Sequence, residues 1–337
     1  MPFSSRRRFI KQSAAVVSSL PFLKVLGFGE SPAIRRGSSC YARGSNIALK
    51  ESGTTVPNKL DVSIFSKHLQ FLDYKETGAM AAELGFDGVD LTVRPKGHVL
   101  PKNVAVDLPK AVTDIRSAGS TCRMITTSIE SVENQLDVDI IKTAGANGIE
   151  YYRTHWYKYP KGVPLPEAIL QYQNQITELA KLNKRHNIIG CYQNHAGTKV
   201  GGSFWEIYKL IKNADPAYFG TQYDIRHATV DGGLSWTNGL KLLKDRIQVI
   251  VLKDFKWGKV GNEWKVISVP VGEGMVDFDK YFKLLKAYGL NPPVSLHLEY
   301  DLGGAEKGKS EITVDRKVVF DAMRKDLVAV QKLWANA

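Results

Sequence analysis

The chain has 337 residues, 43% of them hydrophobic and 24% charged, which suits a folded soluble protein with a sizeable core. Three cysteines are too few for a disulfide scaffold and show no metal-ligand spacing, and no charge-free apolar run of about 18 residues is present, so no stable membrane span is expected. The net charge of +12 is concentrated at the start: eight basic residues and one acid lie in the first 45, which leaves a mildly basic +5 for the rest and no requirement for nucleic acid.

The N-terminus carries Ser5-Arg6-Arg7-Arg8-Phe9-Ile10-Lys11, followed by a moderately apolar stretch from Ala14 to Phe28. This order resembles a twin-arginine export signal; a basic tail is the competing reading. The resemblance implies that residues 1–45 are a signal peptide and linker, that 46–337 form the folded domain, and that the protein is periplasmic or secreted. That route carries folded proteins, often with a cofactor already inserted.

From Leu60 onward, short runs rich in Val, Ile, Tyr and Thr alternate with amphipathic helical stretches. The predicted strands are Leu60–Phe65, Gly88–Val93, Thr121–Ser128, Gly148–Arg153, Ile188–Asn194, Phe219–Ile225, Ile247–Lys253 and Val294–Tyr300, each reading as a parallel strand buried on both faces. Helices are predicted over Tyr74–Leu84, Leu108–Ala118, Val132–Ala144, Pro166–Arg185, Phe204–Asn213, Leu240–Lys244, Asp277–Tyr288 and Val314–Trp334, several ending at a glycine. Eight alternations point to a closed (β/α)₈ TIM barrel, with an open doubly wound sheet as the competing arrangement. No phosphate-cradling glycine motif supports a nucleotide cofactor.

In such a barrel, chemistry gathers at the C-terminal strand ends. The fifth strand ends Gln193-Asn194-His195, the sixth Asp224-Ile225-Arg226-His227, the seventh Lys253-Asp254 and the eighth His297-Leu298-Glu299. The fourth contributes Glu150 and Arg153. Carboxylates beside imidazoles and amides suit a divalent cation such as Mn²⁺, Mg²⁺ or Zn²⁺, which polarises a C–OH or C=O and acidifies the adjacent C–H. His297 shares the strand face of Glu299 one layer deeper and reads as structural. The aromatic run Tyr151–Tyr157 offers stacking surfaces for a sugar, and the insert 256–269, with Trp257 and Trp264, reads as a hairpin-like lid.

These strand ends, together with Leu84-Gly85-Phe86-Asp87-Gly88-Val89-Asp90-Leu91 and Val269-Pro270-Val271-Gly272-Glu273-Gly274-Met275-Val276-Asp277, resemble the sugar phosphate isomerase/epimerase family of xylose-isomerase-like barrels. The resemblance implies a metal-dependent sugar or keto-sugar isomerase or epimerase. By the resemblance Asp224 and Glu299 would be metal ligands and His227 a neighbouring or substrate-contacting group; the strand ends themselves add Gln193 as a ligand through its amide oxygen, Glu299, His227 and Lys253 as catalytic groups, and His195, Glu150, Arg153 and Trp257 as substrate contacts. Two positions depart from the family pattern. Gln193 stands where a glutamate is usual, and Val251 where a histidine is usual. The alternative is therefore a sugar-binding barrel with altered chemistry or none. A barrel nuclease would need a histidine-rich zinc cluster, which seven histidines so placed fit poorly. The expected partners are a small-molecule sugar and a second copy of the chain in a homodimer.

Overall fold

The structure, a computed structural model, describes residues 57–337. The twin-arginine motif and its linker lie outside the described residues. Among the described residues there are ten strands: β1 (Val62–Phe65), β2 (Gly88–Val93), β3 (Thr121–Thr127), β4 (Tyr151–Arg153), β5 (Ile189–Gln193), β6 (Phe219–Asp224), β7 (Ile247–Leu252), β8 (Asp254–Val260), β9 (Glu263–Val269) and β10 (Val294–Leu296). Eight of them close a parallel barrel in the order β1-β2-β3-β4-β5-β6-β7-β10. The open sheet is thereby excluded.

The helices are α1 (Tyr74–Leu84), α2 (Val104–Ser117), α3 (Gln135–Ala146), α4 (Leu165–His186), α5 (Phe204–Ile211), α6 (Ile225–Gly232), α7 (Trp236–Leu243), α8 (Phe278–Ala287) and α9 (Arg316–Asn336). Their ends follow local chemistry. Asp73 and Glu76 form a reciprocal capping box at the start of α1, and Gly85 ends it with φ +92°, a left-handed conformation that glycine adopts without strain. Helix α6 was not expected: Asp224 closes β6 and at once caps this helix through His227 N. Among the described residues no helix is long and apolar enough to cross a membrane.

The core is the apolar layer between strands and helices. Val62, Ile64, Val89, Leu91, Ile250 and Leu252 from the strands meet Ile115, Ile140, Leu179, Leu240, Phe282 and Val330 from the helices, all with essentially no exposure. The predicted insert is an antiparallel hairpin of β8 and β9, paired from Asp254↔Val269 to Val260↔Glu263.

Candidate active site

Strand register sets the site. Asp224, Val251 and Ser295 lie side by side on β6, β7 and β10, so residues one or two positions further on emerge together at the C-terminal mouth. Asp224 is fully buried. Its Oδ1 accepts from His227 N at 2.9 Å and its Oδ2 accepts from Gln193 Nε2 at 2.8 Å. A reciprocal pair of bonds with Asn194, at 2.8 and 2.9 Å, holds its backbone.

Lys253 joins the strands. Its Nζ lies 3.1 Å from Asp224 Oδ2, 3.3 Å from Glu299 Oε1 and 3.0 Å from His227 Nε2, with 4% of the side chain exposed. Glu299 is 27% exposed and also faces Lys67 Nζ at 3.8 Å. Burial opposes its ionisation, yet the neighbouring Lys253, together with His297 and Lys67, holds its carboxyl well below the usual range. Burial, reinforced by Lys253, pushes His195 down to about 4 and His227 well below its ordinary value. Burial also pushes His297 down to about 3. All three imidazoles are therefore neutral at pH 7. His195 Nδ1 lies 2.8 Å from Ala196 O; a carbonyl only accepts, which assigns the proton to Nδ1 and leaves Nε2 a free base.

A narrow cavity of about 60 Å³ opens among these groups, lined by Gln193, His195, Lys253, His297 and Glu299 below and by Phe65, Lys67, Arg94, Arg153 and Trp156 around its rim. Trp156 is the aromatic centre of the rim, with Arg153 Cζ at 4.1 Å and Lys199 Nζ at 4.5 Å from its ring centre and His195 edge-on at 4.5 Å. Burial, then repulsion from Arg94, lowers Arg153 to about 9, and its Nε has no hydrogen-bond partner. Burial lowers Lys67 to about 8. His297 stacks on Phe65 at 4.2 Å and so belongs to the cavity wall. A larger hollow of about 560 Å³ beside Trp205 and Asp231 is lined by none of the strand-end groups.

The structure thus brings together Gln193, His195, Asp224, His227, Lys253, Glu299 and Arg153. Two expected substrate contacts lie elsewhere. Glu150 precedes β4 and sits at the opposite mouth, where Arg123 grips both its carboxylate oxygens at 2.7 Å and also reaches Asp61. Trp257 stands on β8 with its ring against Phe255 and 43% exposed, and it does not line the cavity. Lys67, Arg94 and Phe65 were not anticipated. They fall at or just past the ends of β1 and β2, and the strand-end rule applied to the early strands would have found them.

The expected metal ligands do not form a metal site. The oxygen of Gln193, its only ligating atom, accepts from Arg153 Nη1 at 3.1 Å. Val251 is buried and apolar, and the two carboxylates meet at an amine. Among the described residues no group of three or more His, Cys, Asp or Glu side chains is arranged to hold an ion.

Closure of eight parallel strands, with polar groups gathered at one rim, defines a TIM-barrel protein. The family model for the xylose isomerase-like TIM barrel matches residues 79–314, and the chain belongs to that family. No curated protein sequence matches it significantly. Similar solved structures include a D-allulose 3-epimerase from Methylomonas sp., with 14% identity, TM-score 0.61, and coverage of 83% of this chain and 99% of that one. A 3-keto-D-glucoside 4-epimerase from E. coli has 12% identity, TM-score 0.57 and coverage of 78% and 97%. A xylose isomerase-like barrel protein from Mycobacterium smegmatis, solved with magnesium, has 11% identity, TM-score 0.59 and coverage of 82% and 98%.

Proposed function

We propose that this chain binds a sugar or keto-sugar at the barrel mouth and transfers a proton next to its carbonyl, as an isomerase or epimerase. One observation carries the reading: Glu299, an ionised carboxylate, and His195, an imidazole whose Nε2 is a free base, line one cavity with Lys253 between their strands. A base within reach of a carbon acid, beside a positive charge for the oxygen of that acid, is the minimum for enolisation. The cavity is narrow, so the reacting end of the sugar enters it while the remainder lies against Trp156 and Arg153. The similar D-allulose 3-epimerase and 3-keto-D-glucoside 4-epimerase support this substrate class.

The test is deuterium wash-in. Ketohexoses and keto-glucosides are incubated with the protein in D₂O and the carbon next to the carbonyl is followed by NMR. Exchange that disappears in Glu299→Gln is the expected result. Saturable sugar binding without any exchange would replace this reading with a non-catalytic sugar-binding barrel, which Gln193 and Val251 favour. We also propose that residues 1–45 direct export. Arg7→Lys with Arg8→Lys should retain the precursor in the cytoplasm, and unchanged export would refute it.

A further inference from the structure

We infer that Lys253 supplies, from the polypeptide itself, the positive charge that a divalent ion would bring to the substrate oxygen, so that this site works without a metal. The inference rests on the proposed proton transfer for its chemistry, but its geometry stands apart from it. Lys253 Nζ contacts both carboxylates that would be the ion's ligands, Asp224 Oδ2 at 3.1 Å and Glu299 Oε1 at 3.3 Å. A cation bound to those two oxygens at about 2.0–2.6 Å would have to occupy the space that this amine fills. At the two positions that depart from the family pattern, the Gln193 oxygen takes a hydrogen bond from Arg153 and Val251 has no ligating atom.

Charge points the same way. Lys67, Arg94, Arg153 and Lys253 line the cavity with the carboxylate of Glu299, while the buried Asp224 is already paired with Lys253 and the buried Asp90 faces Arg94 and Arg153. A dication added to that cluster would meet four positive charges in a poorly hydrated space. Lys253 is also fixed in direction. Its three N–H groups point to Asp224, Glu299 and His227, and the contact with Glu299 is the longest.

That contact suggests how the charge is used. Glu299 removes the proton from the carbon next to the carbonyl. The C–H electron pair forms the C=C bond, and the C=O π pair moves to oxygen. Glu299 becomes a neutral acid and a weaker acceptor, and the Lys253 N–H that it held turns to the new enolate oxygen. Reversal of the transfer restores the carbonyl. Charge is conserved within the site, and no co-reactant is needed.

The experiment has a metal arm and a lysine arm. Chelator-treated wild type is dialysed against Mn²⁺, Mg²⁺ or Zn²⁺ and analysed for bound metal. No stoichiometric ion is expected, and one equivalent per chain would overturn the inference. Deuterium wash-in is then measured in EDTA for wild type, Lys253→Met and Lys253→Arg. The Met variant should lose about 10²–10³-fold, as for removal of a charge-stabilising donor, and the Arg variant should retain more activity than Met. Full activity in Lys253→Met, or wild-type exchange abolished by EDTA and restored by an ion, would overturn it. Circular dichroism checks folding; if the Met variant does not fold, the Arg variant and the metal arm still decide. Absence of wash-in from wild type with every sugar would count against the proposed function, while the metal arm would still judge the claim about the ion.

Discussion

Replacing Asp254 by alanine should be among the most damaging single changes in this protein. Its carboxylate is 2% exposed and accepts from four backbone N–H groups. Oδ1 receives Phe255 N at 2.8 Å and Val276 N at 3.1 Å; Oδ2 receives Gly272 N at 3.0 Å and Gly274 N at 2.9 Å. One side chain therefore ties the root of the β8–β9 hairpin to the loop that leads into α8. Gly274 is part of the same design, because a Cβ there would lie 2.3 Å from Asp254 Oδ1. In Asp254→Ala, water can reach the exposed residues Gly272 and Gly274, whereas Phe255 and Val276 are buried. Two buried donors losing a charged acceptor, at about 1.5–3 kcal/mol each, give a loss of roughly 3–6 kcal/mol, a large share of a typical domain's stability of about 5–15 kcal/mol. Asp254→Asn keeps one acceptor oxygen but turns an amide N–H toward a backbone N–H, so its loss should be about half as large. Urea unfolding followed by circular dichroism measures both. A loss below about 1 kcal/mol in the alanine variant would refute the account of these four bonds.

Other substitutions probe different parts of the molecule. Asp326, buried on α9 beside Tyr300 and Val271, is raised by burial to about 7. The folded state keeps its proton between about pH 4 and 7 where the unfolded chain releases it, so this contribution to stability is present in acid and is lost as pH rises through about 7. Asp326→Asn should therefore gain on wild type in melting temperature from pH 5 to 8; parallel curves would refute the assignment. Arg153→Lys removes the planar group stacked on Trp156 and should raise KM for the sugar by roughly 2- to 30-fold, corresponding to about 0.5–2 kcal/mol, with kcat less affected. An unchanged KM would remove Arg153 from the binding surface. Gly274→Ala should unfold at lower urea than wild type, since the contact with Asp254 leaves no room for a methyl group.

The barrel was legible because parallel strands buried on both faces write continuous β-branched runs, and six of the eight predicted strands match those observed to within two residues at either end; the two shortest strands, β4 and β10, are cut back to three residues each. Convergence of Gln193, Asp224 and Glu299 followed from the strand-end rule alone, and His297 and Glu299 share the cavity although β10 stops at Leu296. What failed was finer. Glu150 looked like a strand residue, but β4 begins at Tyr151, and that boundary puts its carboxylate at the other mouth. Helix α6 was hidden because Asp224 ends one element and caps the next, a double role that periodicity does not reveal. The amine between Asp224 and Glu299 was invisible because a lysine's reach across three strands depends on barrel closure, not on spacing.

The ion-paired group at the far mouth has a practical meaning. Arg123, on β3, clasps Glu150 ahead of β4 and Asp61 ahead of β1, so three strands are cross-linked at the end opposite the candidate site. Stability can be adjusted there by redesigning that cluster while the candidate site at the opposite rim is left alone, which makes this floor the place to begin engineering a hardier version of the scaffold.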